Sequence, residues 1–254
     1  LDAAASSDAE QVLFVHDDLV LEPDAVERLS RHLSADPRLA IVGAKLVHLD
    51  RPDRLLWVGM SVDVTGRADG GIEEDELDQG QRDHVQRPLY VSTGGMLVRR
   101  DAFEELGRFD RRYHLFRDDL DLCWRAWLRG YDVEVVPGAV GRHVASASNY
   151  GRLGQTAFLG PRYFAERNTL ATLLKNYGAP RLLYVVPLYF LVGVAKVMGF
   201  VATRRVGDAW QTVRAWAWNL LHLRETWRLR RQTQSRRQRT DSEIAPALRA
   251  TCGA

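Results

Sequence analysis

The chain of 254 residues is 46% hydrophobic and 27% charged, a balance that supports a full buried core and excludes an intrinsically disordered segment. Its formal charge of +2 conceals an asymmetry, because acidic residues concentrate before Asp121 while arginines crowd the tail from Arg224 to Arg239. Two distant cysteines, Cys123 and Cys252, give neither a disulfide framework nor a zinc spacing and fit a reducing compartment. The opening LDAAASSDAEQ has no initiator methionine and no signal-peptide pattern, which raises the expectation of a fragment.

The first apolar run, VLFV from Val12, ends in His16, Asp17 and Asp18 and is followed by LEPDAVERLSRHL. Pro23 suits the first turn of a helix, and Val26, Leu29 and Leu33 recur at helical spacing, so the reading is strand, loop, helix. The acidic cluster then lies at a strand's C-terminal end, where open α/β sheets bind ligands. LAIVGAKLV reads as the next buried strand, LLWVGMSVDVTGR as a hairpin arm and GGIEEDELDQGQRDH as a mobile loop. PLYVSTGGMLVRR is strand-like around Gly94 and Gly95, which mark a bulge or a close backbone approach. AFEELG is a short helix stopped by Gly107. Leu120, Cys123, Trp124, Trp127 and Leu128 then form an apolar helix face closed by Gly130, with Asp118, Asp119 and Asp121 in its first turn. VEVVPGAVGRHV reads as a strand pair that leaves His143 just past an apolar strand. The pattern predicts an α/β sheet up to about His143 and helices beyond it.

Each acidic cluster has a bland explanation. Asp118, Asp119 and Asp121 complement a helix dipole, His16 to Asp18 suit an exposed turn, and a lone His143 suits a structural role. Their order and context carry more. HDD at a strand end, then STGGMLVRRDAFEELGRFD, then FRDDLDLCWRAWLRGYDVEVVPGAVGRHV together closely resemble the catalytic half of the family 2 glycosyltransferases, over roughly Val12 to His143. The resemblance implies a GT-A fold, a Rossmann-like α/β domain. It also implies a DxD-type site that holds a divalent cation, manganese or magnesium, on the diphosphate of a nucleotide sugar. Asp18 matches the last aspartate of that motif, His16 stands where the first is usual, and Asp17 fills the position between. Asp118 and Asp119 match the family's ED motif, with Asp119 as the catalytic base that deprotonates the acceptor hydroxyl. His143 matches a histidine that completes the metal site, and imidazole beside carboxylate suits manganese better than magnesium. Gly94 and Gly95 match the loop that lets sugar and acceptor approach the backbone. The implied reaction is an in-line displacement with inversion.

Members of the family carry a leading βαβ portion with much of the nucleotide-binding surface, and only eleven residues precede Val12 here. The expectation is an N-terminally truncated GT-A sheet with an exposed edge and weak or no activity in isolation. A non-catalytic remnant that binds a membrane or partner is the competing function. A metal-dependent hydrolase would need a second cluster to position water, and the sequence offers none.

The division expected is a catalytic portion over residues 1–150 and a helical region over 151–254. Leu182 to Ala202 has about the twenty residues needed to cross a bilayer, but Pro187 and Lys196 interrupt it. A spanning helix, an in-plane helix and a helix packed on the α/β domain all remain open. The tryptophans and arginines that follow suit a lipid interface, with Arg230, Arg231, Arg236, Arg237 and Arg239 expected to meet anionic head groups. Nucleic acid is not an expected partner, because these arginines lie outside any recognition module. The resemblance further implies a hydroxyl acceptor, lipid-linked in many relatives, at the cytoplasmic face of the cell membrane.

Overall fold

The computed structural model describes residues 8–84, 87–144 and 160–249. The first half builds a six-stranded sheet in which β3 (Leu39–His48) runs through the centre, buried over nearly its whole length. The order is β1 (Gln11–Phe14), β7 (Met96–Arg99), β3, β8 (Asp132–His143), β2 (Leu19–Leu21), with β4 (Leu55–Trp57) also paired to β3. A separate two-stranded ribbon joins β5 (Ser61–Val62) to β6 (Ala68–Asp69).

Period-two alternation along β3 gives the sheet two apolar faces. Val42, Ala44 and Leu46 meet Ala25, Leu29 and Leu33 of α1 (Ala25–Ala35). Ile41 and Val47 belong to the larger core on the opposite face, with Leu120, Trp124 and Leu128 of α3 (Asp118–Arg129). The short α2 (Arg100–Glu105) contributes Ala102 and Phe103 to that core. The helix face expected from Leu120 to Leu128 is fully buried, and α3 ends as predicted at Gly130, whose φ of 97° is a left-handed cap.

Four expectations are corrected. The sheet is mixed rather than Rossmann-like: among the described residues only β3 and β8 pair in parallel. A parallel partner needs a long crossover. Here only residues 15–18 link β1 to β2, and the described residues between β6 and β7 form no helix. Second, Asp132–His143 is one strand rather than a pair. Its Pro137–Gly138 step is absorbed where Ala44 pairs with Val136 but Lys45 pairs with Val140, so residues 137–139 bulge out of the ladder. Third, the strand expected around Gly94–Gly95 starts only at Met96. Fourth, the polar stretch read as a mobile loop is pinned to the sheet. Buried Lys45 lies 2.9 Å from Asp78 and 3.0 Å from Asp83.

The second half is helical, as expected: α4 (Pro161–Asn176), α5 (Ala179–Ala202), α6 (Val206–Leu221), α7 (Leu223–Ser235) and α8 (Ala245–Arg249). These helices share the core of the sheet, since Leu170 and Leu173 of α4 and Val185 and Tyr189 of α5 join the α3 cluster. The boundary expected at residue 150 lies outside the described residues. α5 packs with the face Val185, Tyr189, Gly193, where a Cβ on Gly193 would sit 2.5 Å from the Trp216 ring. Its other stripe, Leu183, Leu191, Val194, Met198 and Val201, is exposed.

The basic tail is used differently from the expectation. Arg230 is buried and donates to the carbonyls of Leu174 and Tyr177, Arg236 donates to the Glu105 carbonyl, Arg237 pairs with Asp241 and Arg239 with Asp132. Unpaired carbonyls at helix ends and buried carboxylates draw these guanidinium groups inward. Of the five, Arg231 is left exposed, with no side-chain partner among the described residues.

Candidate active site and metal centre

Strands β1, β3 and β8 run in one direction, so their C-terminal ends gather at one edge of the sheet. The chain leaves β1 at Phe14, turns through His16–Asp18 and re-enters the sheet as β2 beside the end of β8, with Leu19 opposite His143. This crossing brings the HDD turn and His143 together across 127 positions of sequence. His16 Nδ1 lies 3.1 Å from His143 Nε2, and Asp18 Oδ1 lies 3.2 Å from the same nitrogen. One ligand atom from each of the three residues falls within 4.8 Å of the others. His143 is buried, and His16 and Asp18 are partly exposed, so the cluster opens toward solvent on one side.

Neighbouring residues orient the two imidazoles. His16 Nε2 bonds Thr93 Oγ1 at 3.0 Å, and Trp57 packs edge-on against His143 with centroids 5.5 Å apart. Gly94 clears space for His16, since a Cβ there would lie 3.0 Å from Nδ1. Gly95, at φ 96°, donates to the Phe14 carbonyl and accepts from Ala44, which locks the loop between β1 and β3. Burial pulls the imidazolium of His143 down, against an opposing pull from Asp18. A neutral imidazole has a free lone pair. Two imidazole nitrogens and a carboxylate oxygen within 4.8 Å of one another form a donor set that fits a divalent cation of the manganese type. Asp17 is exposed and stands outside this group.

The second acidic pair arrives from α3. Phe116 and Arg117 both adopt left-handed backbone conformations, φ 64° and 69°, immediately before Asp118. Non-glycine residues there cost energy and need external support. Asn168 of α4, fully buried, supplies it by donating to the Leu115 and Phe116 carbonyls at 2.8 and 2.9 Å, while Arg117 Nε donates to Thr169 Oγ1. Asp119 accepts the Leu120 N–H at 2.7 Å, as the helix-dipole explanation anticipates. Helix dipole and hydrogen bond both favour the carboxylate, yet the opposite effect wins. Asp119 is only partly accessible and largely surrounded by protein. Burial, reinforced by the charge of Asp118, pushes its carboxyl up to about 7. Burial likewise raises Asp118, with the nearby His16 pulling the other way. Asp118 thus lies within electrostatic reach of His16. Asp121, by contrast, is structural: it is wholly buried and paired with Arg125 and Lys175.

Residues 3–158 match the family model described as "Glycosyltransferase like family 2". The chain belongs to this family. Two curated relatives are the galactofuranosyltransferase GlfT2 of Mycobacterium tuberculosis, 27% identical over 195 residues, and that of Mycolicibacterium smegmatis, 25% identical over 194. These alignments cover 71% and 70% of this chain but only 30% and 29% of the relatives, so the chain spans under a third of their length. Among solved structures, GalNAc-T7 with UDP, GalNAc and Mn2+ shares the fold at a TM-score of 0.51 and 10% identity, over 71% of this chain and 34% of that one. The glycosyltransferase family 2 assignment thus agrees with the motif resemblance, and the fold is the mixed α/β sheet of GT-A-like enzymes.

Sequence reasoning missed the supports. Thr93 sat in plain view in STGG, next to the glycines. Asn168 and Thr169 had a weaker signal: α4 buries Arg167, Asn168, Thr169, Thr172, Lys175 and Asn176, a polar run on a buried helix that must serve partners.

Proposed function

We propose that this chain is the catalytic portion of a metal-dependent, inverting glycosyltransferase that moves a sugar from a nucleoside-diphosphate donor to a hydroxyl acceptor held at the membrane, in cell-envelope glycan synthesis. The observation that carries this reading is the convergence of His16, Asp18 and His143 at the same sheet edge that receives the Asp118–Asp119 pair.

Asp18, His143 and His16 would hold the cation, which when bound offsets charge on the departing diphosphate. Asp119 acts as general base. With its carboxyl near neutrality it is ionised in a useful fraction of molecules, yet basic enough to take the acceptor proton, a step typically worth about 10²–10⁴-fold. Asp118 keeps the pair's shared charge beside the cluster. Gly94 and Gly95 leave the backbone open to the sugar. A single in-line displacement inverts the anomeric centre. Since both curated relatives are galactofuranosyltransferases, a nucleotide-activated galactofuranose is the first donor to test.

The membrane assignment rests on α5, long and apolar enough to span a bilayer, yet with one face packed on α6 and an opposite stripe of exposed aliphatics. That two-sided pattern supports a helix lying in a membrane interface, and the family resemblance suggests the cytoplasmic leaflet. Turnover of a nucleotide-sugar panel with manganese and a lipid-linked acceptor tests the reading. Inverted product that disappears with Asp119→Asn supports it. Donor turnover unaffected by Asp119→Asn and Asp18→Ala would remove it.

A further inference from the structure

The 104–112 segment, the C-terminal half of α3 and α7 line a cavity of about 640 Å³. Eight basic side chains line it against four acidic ones. Most of these cations are already held: Arg112 by Asp110, Arg129 by Glu105, Arg125 by Asp121, and Lys175 between Asp110 and Asp121. Two are not. Arg111, on the segment wall, and Arg228, on α7, are exposed and have no side-chain partner among the described residues. Natural proteins seldom aim free guanidinium groups from two walls into one concave space without an anion to share, and guanidinium geometry suits phosphate oxygens in particular.

The surroundings say which phosphate. Arg228 and Gln232 also line a second cavity of about 550 Å³, whose other walls are Leu223, Arg224, Trp227 and Arg231. Arg224 and Arg231 are likewise exposed and unpartnered among the described residues. Just ahead of Leu223 in the chain, Leu220 and Leu221 at the end of α6 are exposed by 73% and 81%. A cationic recess with room for a phosphate head group therefore adjoins, through Arg228 and Gln232, a groove that carries Leu223 and Trp227, the profile of a lipid with an anionic head and hydrocarbon tails. We infer that the cavity between residues 104–112 and α7 is a binding site for the phosphate head group of an anionic membrane lipid, whose hydrocarbon lies against Leu223 and Trp227.

This inference rests on the membrane reading above and gives it a specific anchor. Of the five arginines expected from the sequence to meet head groups, Arg230, Arg236, Arg237 and Arg239 engage the protein itself, while Arg231 stays exposed and is joined by Arg111, Arg224 and Arg228. The site does not overlap the base. Arg125 and Arg129 lie six and ten residues along α3 from Asp119, about 9 and 15 Å at the helical rise.

Co-sedimentation with vesicles of phosphatidylcholine alone, or mixed with phosphatidylglycerol, tests the site in the wild type and in the Arg111→Glu/Arg228→Glu double variant. A second double variant, Arg31→Glu/Arg38→Glu, changes charge equally at exposed positions elsewhere. Titration with inorganic pyrophosphate separates a lipid site from a soluble-phosphate site. The expected result is preference for the anionic vesicles, weakened about thirtyfold or more in the groove variant and retained in the control, with turnover on a soluble acceptor unchanged. Equal binding to both vesicle types overturns the groove while leaving the membrane reading intact, and binding to neither overturns both. Equal losses in the two double variants, or tight pyrophosphate binding without a vesicle preference, also overturn the assignment.

Discussion

Replacing Asp119 by asparagine separates two effects of one carboxyl group. Its upward displacement from 3.8 to about 7 means that the folded protein holds a proton there, between about pH 4 and pH 7, that the unfolded chain releases. Wild-type stability therefore falls as pH rises through that window and levels off above it. At about 1.4 kcal/mol per pH unit the ceiling is about 4 kcal/mol. Partial accessibility of the side chain and the proton shared with Asp118 reduce this to about 2 kcal/mol. Asparagine mimics the protonated acid and can still accept the Leu120 N–H. Asp119→Asn should match the wild type near pH 4 and exceed it by about 2 kcal/mol at pH 8, roughly 4–8 °C in Tm for a chain of this size. Its turnover should drop by about 10²–10⁴-fold. Thermal unfolding across pH 4–8, paired with turnover, reads both. A variant equally or less stable at pH 8 would refute the claim that Asp119 is held as a costly buried charge. Wild-type activity that does not rise between pH 6 and pH 8 would refute its role as base.

The same structure makes three further predictions. Asn168→Ala removes both donors that hold the left-handed residues ahead of Asp118, and should cost about 2–4 kcal/mol in urea unfolding while lowering kcat more than it raises KM. Gly94→Ala places a Cβ 3.0 Å from His16 Nδ1; manganese affinity should weaken about tenfold with little change in Tm. Lys175→Met removes the cation that bridges the buried carboxylates of Asp110 and Asp121 at 2.8 Å each, leaving each with one arginine, and should cost about 3 kcal/mol. For Asp110, burial pulls the carboxyl upward, but Arg112 and Lys175 outweigh it and hold it well below the usual range. Its contribution is therefore present at neutral pH and lost as the medium is acidified below about pH 4, a loss that Lys175→Met should blunt in acid-unfolding curves.

The elements legible in the sequence were those with strong local signals. The α3 face from Leu120 to Leu128 repeats apolar residues at helical spacing up to its Gly130 cap, the apolar run Leu182–Ala202 is long enough for a helix, and the structure forms both. Strand direction was not legible, because β1 and β2 differ by a four-residue crossing that only the assembled sheet explains. The Pro137–Gly138 step resembled a turn, yet the long ladder with β3 tolerates it as a bulge. In the site, the types and order of His16, Asp18, Asp118, Asp119 and His143 pointed to the family, and the fold brings the first, second and last within 4.8 Å. The clamp from Asn168 was invisible, since its partners are main-chain carbonyls more than fifty residues away. The fate of the tail arginines was equally hidden: composition records their charge, while their direction depends on helix ends and carboxylates elsewhere.

The most direct measurement is isothermal titration of the protein with manganese, alone and with a nucleoside diphosphate, for the wild type and for His16→Ala, Asp18→Ala and His143→Ala. The account predicts one manganese site that each substitution weakens by at least about tenfold, with nucleotide binding that depends on the metal. Manganese binding of unchanged strength in all three variants would contradict it.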